Sequence, residues 1–275
     1  MKKIRLRYTK KKVAKRLLPL FAPLILTPVS IPVGGATMAK SDAKRTKAKI
    51  LNYKVMKFDQ VAYGLYDEMN LQKAGLRFEV FSKALTGYYN LKHDGKLSEK
   101  PIITVVDFTK SSTKKRLWVL DLEKKQVLFN TYVAHGRNSG VEYAESFSND
   151  NASYMSSIGF YVTEATYHGK HGLSLKLDGM DEAFNSNALD RCIVMHGAEY
   201  ASEKVIAQQG RLGRSLGCPA LPMEDHEEII NAVMGKTTLY IHAANDAYTS
   251  DYLDHATAFT ELVNEQSAKL PDASI

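Results

Sequence analysis

The chain is poor in several things, and each shortage excludes something. Its 275 residues include only two cysteines, Cys192 and Cys218, so one disulfide is the most it can form. Only one stretch, near the N-terminus, approaches the roughly 20 apolar residues a membrane span needs, which excludes a multi-span membrane protein. No H-E-x-x-H occurs, and no carboxylate sits beside the histidine-rich segments as a general base, which weighs against a zinc peptidase. There is no internal repeat and no low-complexity tract. Acidic residues are absent from residues 1–39, where nine Lys or Arg stand. The net charge of +7 is therefore local: the remainder carries 28 basic against 30 acidic residues, a formal −2. A body so balanced is not drawn to a phosphate backbone, so no nucleic-acid partner is expected.

What is present begins with that basic N-terminus. A basic run to Arg16 precedes a mostly apolar stretch, LLPLFAPLILTPVSIPVGGA, and then Thr37-Met38-Ala39, with small residues where a signal peptidase cuts. Pro19, Pro23, Pro28 and Pro32 interrupt the apolar run and disfavour a permanent helical span. Residues 1–39 therefore read as an export signal, with a retained anchor as the alternative and this segment as the one membrane contact. The expected location is the periplasm or cell envelope. In such a compartment two cysteines most often pair, which is one reading of Cys192 and Cys218.

Residues 40–99 read as a basic linker over 40–52 followed by a helical hairpin. Phe58, Val61, Ala62, Leu65, Tyr66 and Met69 fall at helical spacing, and a second helix is expected from about Arg77 to Leu91. From about residue 100 the texture changes. ITVVDF, RLWVLDL, QVLFNTYVAHG, GFYVTEATYHG, RCIVMHG and TTLYIHA are short β-rich runs separated by polar turns, with Trp118 expected in the core. No regular helices separate them, so a largely antiparallel sheet or small barrel is favoured over a doubly wound α/β fold. Helices are expected over Glu224–Met234 and near Tyr252–Lys269. This divides the chain into a β-rich body at 100–245 and a C-terminal helix within 246–275, expected to be monomeric.

The chemistry-bearing stretch is GRSLGCPAL, residues 213–221. Acyl transfer by a thiol needs a thiolate, a base and donors for an oxyanion. Gly217 permits backbone angles that aim the amides of Gly217 and Cys218 at one point, and Pro219 stiffens the exit. Arg214 and Arg211 bring positive charge that would lower the thiol pKa or hold a substrate carboxylate. His196 is the choice of base, because it ends an apolar strand and Gly197 follows it. Were 191–196 all strand, Cys192 and His196 would lie roughly 13 Å apart. A Cys218 near His196 would then be out of range of Cys192, since a disulfide needs Cα atoms within about 7 Å. Catalytic pair and disulfide are thus near-exclusive, and both stay open.

Residues HG at 196–197 followed by RSLGCP at 214–219 resemble the murein L,D-transpeptidase catalytic domain family, the cysteine enzymes of peptidoglycan cross-linking. The blocks VVDFTKSSTKKRLWVLDL, VAHGRNSG, FSNDNASYMSSIGFY, YHGKHGLSLKLDG and RCIVMHGAEY extend the likeness over about 100–245. The resemblance implies a β-rich fold, an antiparallel β-sandwich or barrel with an N-terminal helical segment, and a Cys–His pair facing across a cleft. It implies Cys218 as nucleophile, His196 as base, and a backbone carbonyl of Ser215 or Leu216 orienting the imidazole. The implied substrate is a peptidoglycan stem tetrapeptide, cut before its terminal D-residue through a thioester, with no cofactor. This sequence departs from the better-known branch in having Leu216 before Gly217, and Pro219, Ala220 and Leu221 after Cys218. Arg214 or Arg211 would then take the carboxylate.

Around this centre, Tyr167 and His171 of YHGKHG read either as a substrate wall or as a glycine-rich turn. Ser148, Asn149, Ser153, Ser156 and Ser157 either line the same pocket or cap turns. His135-Gly136 lacks a downstream cysteine and reads as structural. Water in place of an amine acceptor would give carboxypeptidase or endopeptidase activity. Zinc held by His168, His171 and His196, or a non-catalytic wall-binding domain, are the alternatives of other classes.

Overall fold

The computed structural model describes residues 35–268. The segment read as an export signal therefore lies, up to residue 34, outside the described residues. The chain divides into two compact units, residues 1–44 and 45–275. The packing below is that of the second unit. Among the described residues no helix is long and apolar enough to cross a membrane.

Helix α1 spans Gly35–Glu68 and α2 spans Phe78–His93. The stretch 40–52, expected as linker, is thus helical: it holds no proline or glycine to stop a helix that begins upstream. The apolar stripe does what its spacing predicts. Phe58, Ala62, Tyr66 and Met69 are buried, with Val61 and Leu65 packed against them. In α2 the close approach to the sheet depends on Gly87, where a Cβ would sit 2.0 Å from the Phe160 ring.

Eight strands follow: β1 (Ile102–Asp107), β2 (Leu117–Asp121), β3 (Gln126–Thr131), β4 (Gly159–Gly169), β5 (Gly172–Gly179), β6 (Val194–Gly197), β7 (Ala220–Leu221) and β8 (Thr238–His242). They form one sheet in the order β3-β2-β1-β8-β4-β5-β6-β7. The sheet is mixed: β1–β8 and β6–β7 are parallel and the other pairs antiparallel. It is nearly closed, because the chain leaving β3 returns to β7. Ala134 N–H donates to Ala220 O (2.8 Å), and Arg137 N–H donates to Ser215 O (2.8 Å). The expected β-rich barrel with flanking helices is the fold observed. The parallel pairs arise where β8 and β7 enter alongside strands distant in sequence.

Strand alternation divides the apolar side chains into two cores. Ile103, Val105, Trp118, Leu120, Phe160, Val162 and Tyr240 face α1, α2 and the C-terminal helix α5 (His255–Ala268). Val106, Leu117, Val119, Tyr161, Leu239 and Ile241 face the barrel interior, together with Ile229, Ile230 and Val233 of α4 (His226–Val233). At about 25 cal/mol per Å², each such side chain gains on the order of 1.5–3 kcal/mol from burial. Trp118 is fully buried, and its indole N–H donates to Ala74 O (2.8 Å).

Candidate active site

The loop from Gly213 to Cys218 joins two edges of the barrel, and its shape follows from a few local bonds. Ser215 N–H donates to His135 O (2.9 Å), so the loop's first half pairs with the strand end at 135–137. The Ser215 hydroxyl then folds the second half: it accepts from Gly217 N–H (3.0 Å) and donates to Cys218 O (2.6 Å). Gly217 sits at φ +128, which side chains rarely adopt. A Cβ there would lie 2.9 Å from Met155 O and 3.0 Å from Ile193 Cδ1. Ser156, buried, clamps the loop from beneath by accepting from Gly136 N–H (3.0 Å) and donating to Gly217 O (3.2 Å).

Cys218 emerges half-buried at the loop's end, and β7 carries the chain on beside β6 with Ala220 in register with His196 and Leu221 with Gly197. The nucleophile candidate and the histidine therefore stand on adjoining parallel segments, two register positions apart. His196 is 3% exposed. Its Nδ1 pairs with Gly197 O (2.8 Å), and no hydrogen bond engages its Nε2. That atom is also absent from the polar atoms sealed without a partner, so it opens toward solvent. Burial, then His171 and His226, depress the His196 pKa, so the ring is neutral and able to accept a proton at neutral pH. No hydrogen bond joins Cys218 Sγ to this ring; the thiol instead points to Cys192 O at 3.8 Å. Resting enzymes often leave such catalytic bonds long until substrate enters.

Several expectations change here. Both cysteines are free. The roughly 13 Å separation of Cys192 and His196 required strand throughout 191–196, but β6 begins only at Val194, and Cys192 lies in a turn at φ +54 with its carbonyl against the Cys218 sulfur. The carbonyl that orients His196 is that of Gly197, because Ser215 O is spent on Arg137 N–H. Of the two oxyanion amides expected, that of Gly217 is occupied by the Ser215 hydroxyl, and that of Cys218 faces its own sulfur and helps to lower the thiol pKa.

The charges are also distributed differently. Arg214 donates to Arg137 O (3.0 Å) and Gly140 O (2.9 Å), and Arg211 donates to Leu212 O (2.7 Å), so both guanidiniums are engaged by carbonyls. Burial pushes the Cys218 thiol up, and the Val194 amide, then the Arg191 guanidinium, pull it back. Arg191 was not singled out in the sequence. Its signal was there only as a cation immediately before Cys192, in a turn whose partners are remote in sequence.

Of the wall residues, His171 stacks on His196 with ring centroids 4.4 Å apart, and Tyr167 is 40% exposed on the same β4–β5 hairpin. Gly197 is buried against His226, where a Cβ would come within 2.6 Å of the ring. Ser156 is sealed beneath the loop and offers nothing to a ligand. Asn149 is spent on another loop, donating to Glu182 O (3.2 Å) and Ser186 Oγ (3.1 Å). His168, His171 and His196 do not converge as metal ligands: two of the rings lie face to face, and among the described residues no trio of His, Cys, Asp or Glu is arranged to hold a metal ion.

An eight-stranded near-barrel with outer helices and a glycine-turned cysteine loop at its closing edge defines the class. A profile of the L,D-transpeptidase catalytic domain matches residues 72–242, more than half of the chain, and the chain belongs to that family. The match begins within the helical hairpin, so α2 is part of the matched region. Among solved structures, similarity is found to an L,D-transpeptidase from Mycobacterium smegmatis (12% identity, TM-score 0.33, covering 52% of this chain and 59% of that one). Others are a variant of the helical cell shape determining protein Pgp2 from Campylobacter jejuni (12%, 0.38, 67% and 64%) and an L,D-transpeptidase from Mycobacterium tuberculosis (15%, 0.32, 52% and 58%). The chain spans less than two thirds of the length of each. A search of curated protein sequences finds no match.

Proposed function

We propose that this chain is an exported cysteine acyltransferase of peptidoglycan stem peptides, an L,D-transpeptidase working through a thioester on Cys218. The observation that carries the reading is the register of β6 with β7, which brings His196, its Nδ1 engaged and its Nε2 not, beside the cysteine that follows the positive-φ Gly217. Family membership supports the substrate class, and the basic, apolar N-terminus supports export to the cell envelope.

The steps follow from the protonation states. Burial favours the thiol on Cys218 and the neutral ring on His196. As sulfur attacks the carbonyl before the terminal D-residue, the S–H proton passes to His196 Nε2 and the S–C bond forms. The Cys218 amide meets the developing oxyanion. The C–N bond then breaks, His196 returns the proton to the leaving amine, and the D-amino acid departs. An acceptor amine attacks the thioester, gives up a proton and restores the thiol. Tyr167, His171 and Gly197 border the substrate in this reading, while Arg214 and Arg211 stay engaged with backbone carbonyls.

The test is product analysis with a defined stem tetrapeptide. Released D-amino acid with a cross-linked dimer supports transpeptidation; release with tripeptide alone assigns water as the acceptor. No release by wild type, or equal release by a Cys218→Ala variant, refutes the reading.

A further inference from the structure

Cys218 sits where burial opposes its ionisation, and both arginines of its own loop are held by backbone carbonyls. The cation behind it comes from another segment. Arg191 Nη1 donates to Ser148 O (2.6 Å), and its Nη2 donates to Met155 O (2.6 Å) and Ser153 Oγ (3.1 Å). Three bonds to one loop fix the guanidinium in place, and no carboxylate pairs with it among the described residues. Its Nη2 backs onto the nucleophile turn: a Cβ on Gly217 would lie 3.4 Å from it. Met155 O, which holds Nη2, would be 2.9 Å from the same Cβ. The next residue, Cys192, presents its carbonyl to the Cys218 sulfur at 3.8 Å, which keeps the Arg191 segment and the thiol together.

We propose that Arg191 is the electrostatic partner of Cys218, a fixed positive charge that stabilises the thiolate as its proton leaves for His196. This rests on the reading of Cys218 as a nucleophile and adds a fixed charge to the Val194 amide that already favours the buried thiolate. A side chain at 217 would touch the guanidinium at contact distance, 3.4 Å from Nη2, and would strain the backbone. The other groups that bear on the sulfur's charge are Cys192, a like charge when ionised, Tyr200, and His196 one strand over. Arg191 is the only cation among them at neutral pH.

The experiment is the pH dependence of Cys218 alkylation by iodoacetamide, on reduced full-length protein in which Cys192 is replaced by Ser. It reads thiolate population without requiring any transferase reaction. If Cys218 proves unreactive toward stem peptides but Arg191 still governs alkylation, the functional reading fails and this inference stands; the converse is equally visible. Arg191→Gln is expected to slow alkylation at pH 7 about tenfold, the effect of one pKa unit. Arg191→Lys, which keeps the charge, is expected to stay within about threefold of the parent. Ser153→Asp neutralises the guanidinium without removing it, and serves if Arg191→Gln does not fold; it too is expected to slow alkylation several-fold. Parental rates in a folded Arg191→Gln or in Ser153→Asp overturn the proposal. So does equal slowing in the Lys and Gln variants, which would make the role one of packing.

Discussion

Two His-Gly pairs flank the same loop, and they have opposite chemistry. His135-Gly136 pairs with Ser215 at the loop's entrance, and His196-Gly197 pairs with Ala220 and Leu221 at its exit. Both rings are buried and both glycines allow a close backbone approach. The difference lies in what occupies the ring nitrogens. His135 Nδ1 accepts from Arg116 Nη2 (2.8 Å), and its Nε2 faces Gly140 O (3.4 Å). Burial and the Arg116 charge drive its pKa down to about 3. Nothing is left for a substrate. His196 spends only Nδ1, on its neighbour's carbonyl, and keeps Nε2 free. A dipeptide alone therefore assigns neither role; the second ring nitrogen decides.

Replacing each histidine separates the two roles. His196→Gln is expected to cut acylation of Cys218 by roughly 10²–10⁴-fold, the usual value of a general base, while leaving the melting temperature within a few degrees. Single-turnover acylation with thermal melts on the same sample checks both halves. Gly217→Ala forces a Cβ toward Met155 O at positive φ, and is expected to lose roughly 1–3 kcal/mol of stability along with acylation. His135→Ala takes one acceptor from buried Arg116, which keeps Val133 O and Lys110 O, and is expected to lose about 1–3 kcal/mol on denaturant titration with acylation by the folded fraction retained.

The pH dependence sharpens the contrast. Folded His135 stays neutral down to about pH 3, against an ordinary value of 6.5. The unfolded chain binds the extra proton across that window, so stability falls as pH drops through it. His135→Ala should flatten that slope. The smallest effect belongs to His171. Its charge helps to depress His196, so His171→Ala should raise the His196 pKa and move the acid limb of the acylation profile upward, at a cost under about 1 kcal/mol in stability.

Much of this was legible in the sequence, for reasons that differ by element. The helical stripe at Phe58–Met69 carries its own periodicity and the runs at 102–107 and 117–121 their β-branched and aromatic composition, and they form where expected. The strand Gly172–Gly179 went unread although Leu173, Leu175 and Leu177 alternate with Ser174, Lys176 and Asp178 at a strand's own period; the glycine-rich turn YHGKHG before it overshadowed that alternation, and pairing with β4 and β6 fixes it in the sheet. The short helix Glu203–Gln209 has no buried face to announce it. At the site, glycine chemistry and a histidine at a strand end pointed to Cys218 and His196. What stayed hidden was long-range: the Gly197 carbonyl on His196, the Ser215 hydroxyl on Gly217, and Arg191 behind the sulfur. No local pattern encodes partners that only the closed barrel brings together.

The central claim is that Cys218 becomes acylated with His196 as its base. Intact-mass analysis of the reduced protein after a brief incubation with a stem tetrapeptide tests it most directly. The account predicts a mass increase equal to the tetrapeptide less its terminal D-residue and one water, located on the peptide containing Cys218. His196→Gln should show it weakly and Cys218→Ala not at all. An adduct on Cys192, or turnover without any adduct in a Cys218→Ala protein, would contradict it.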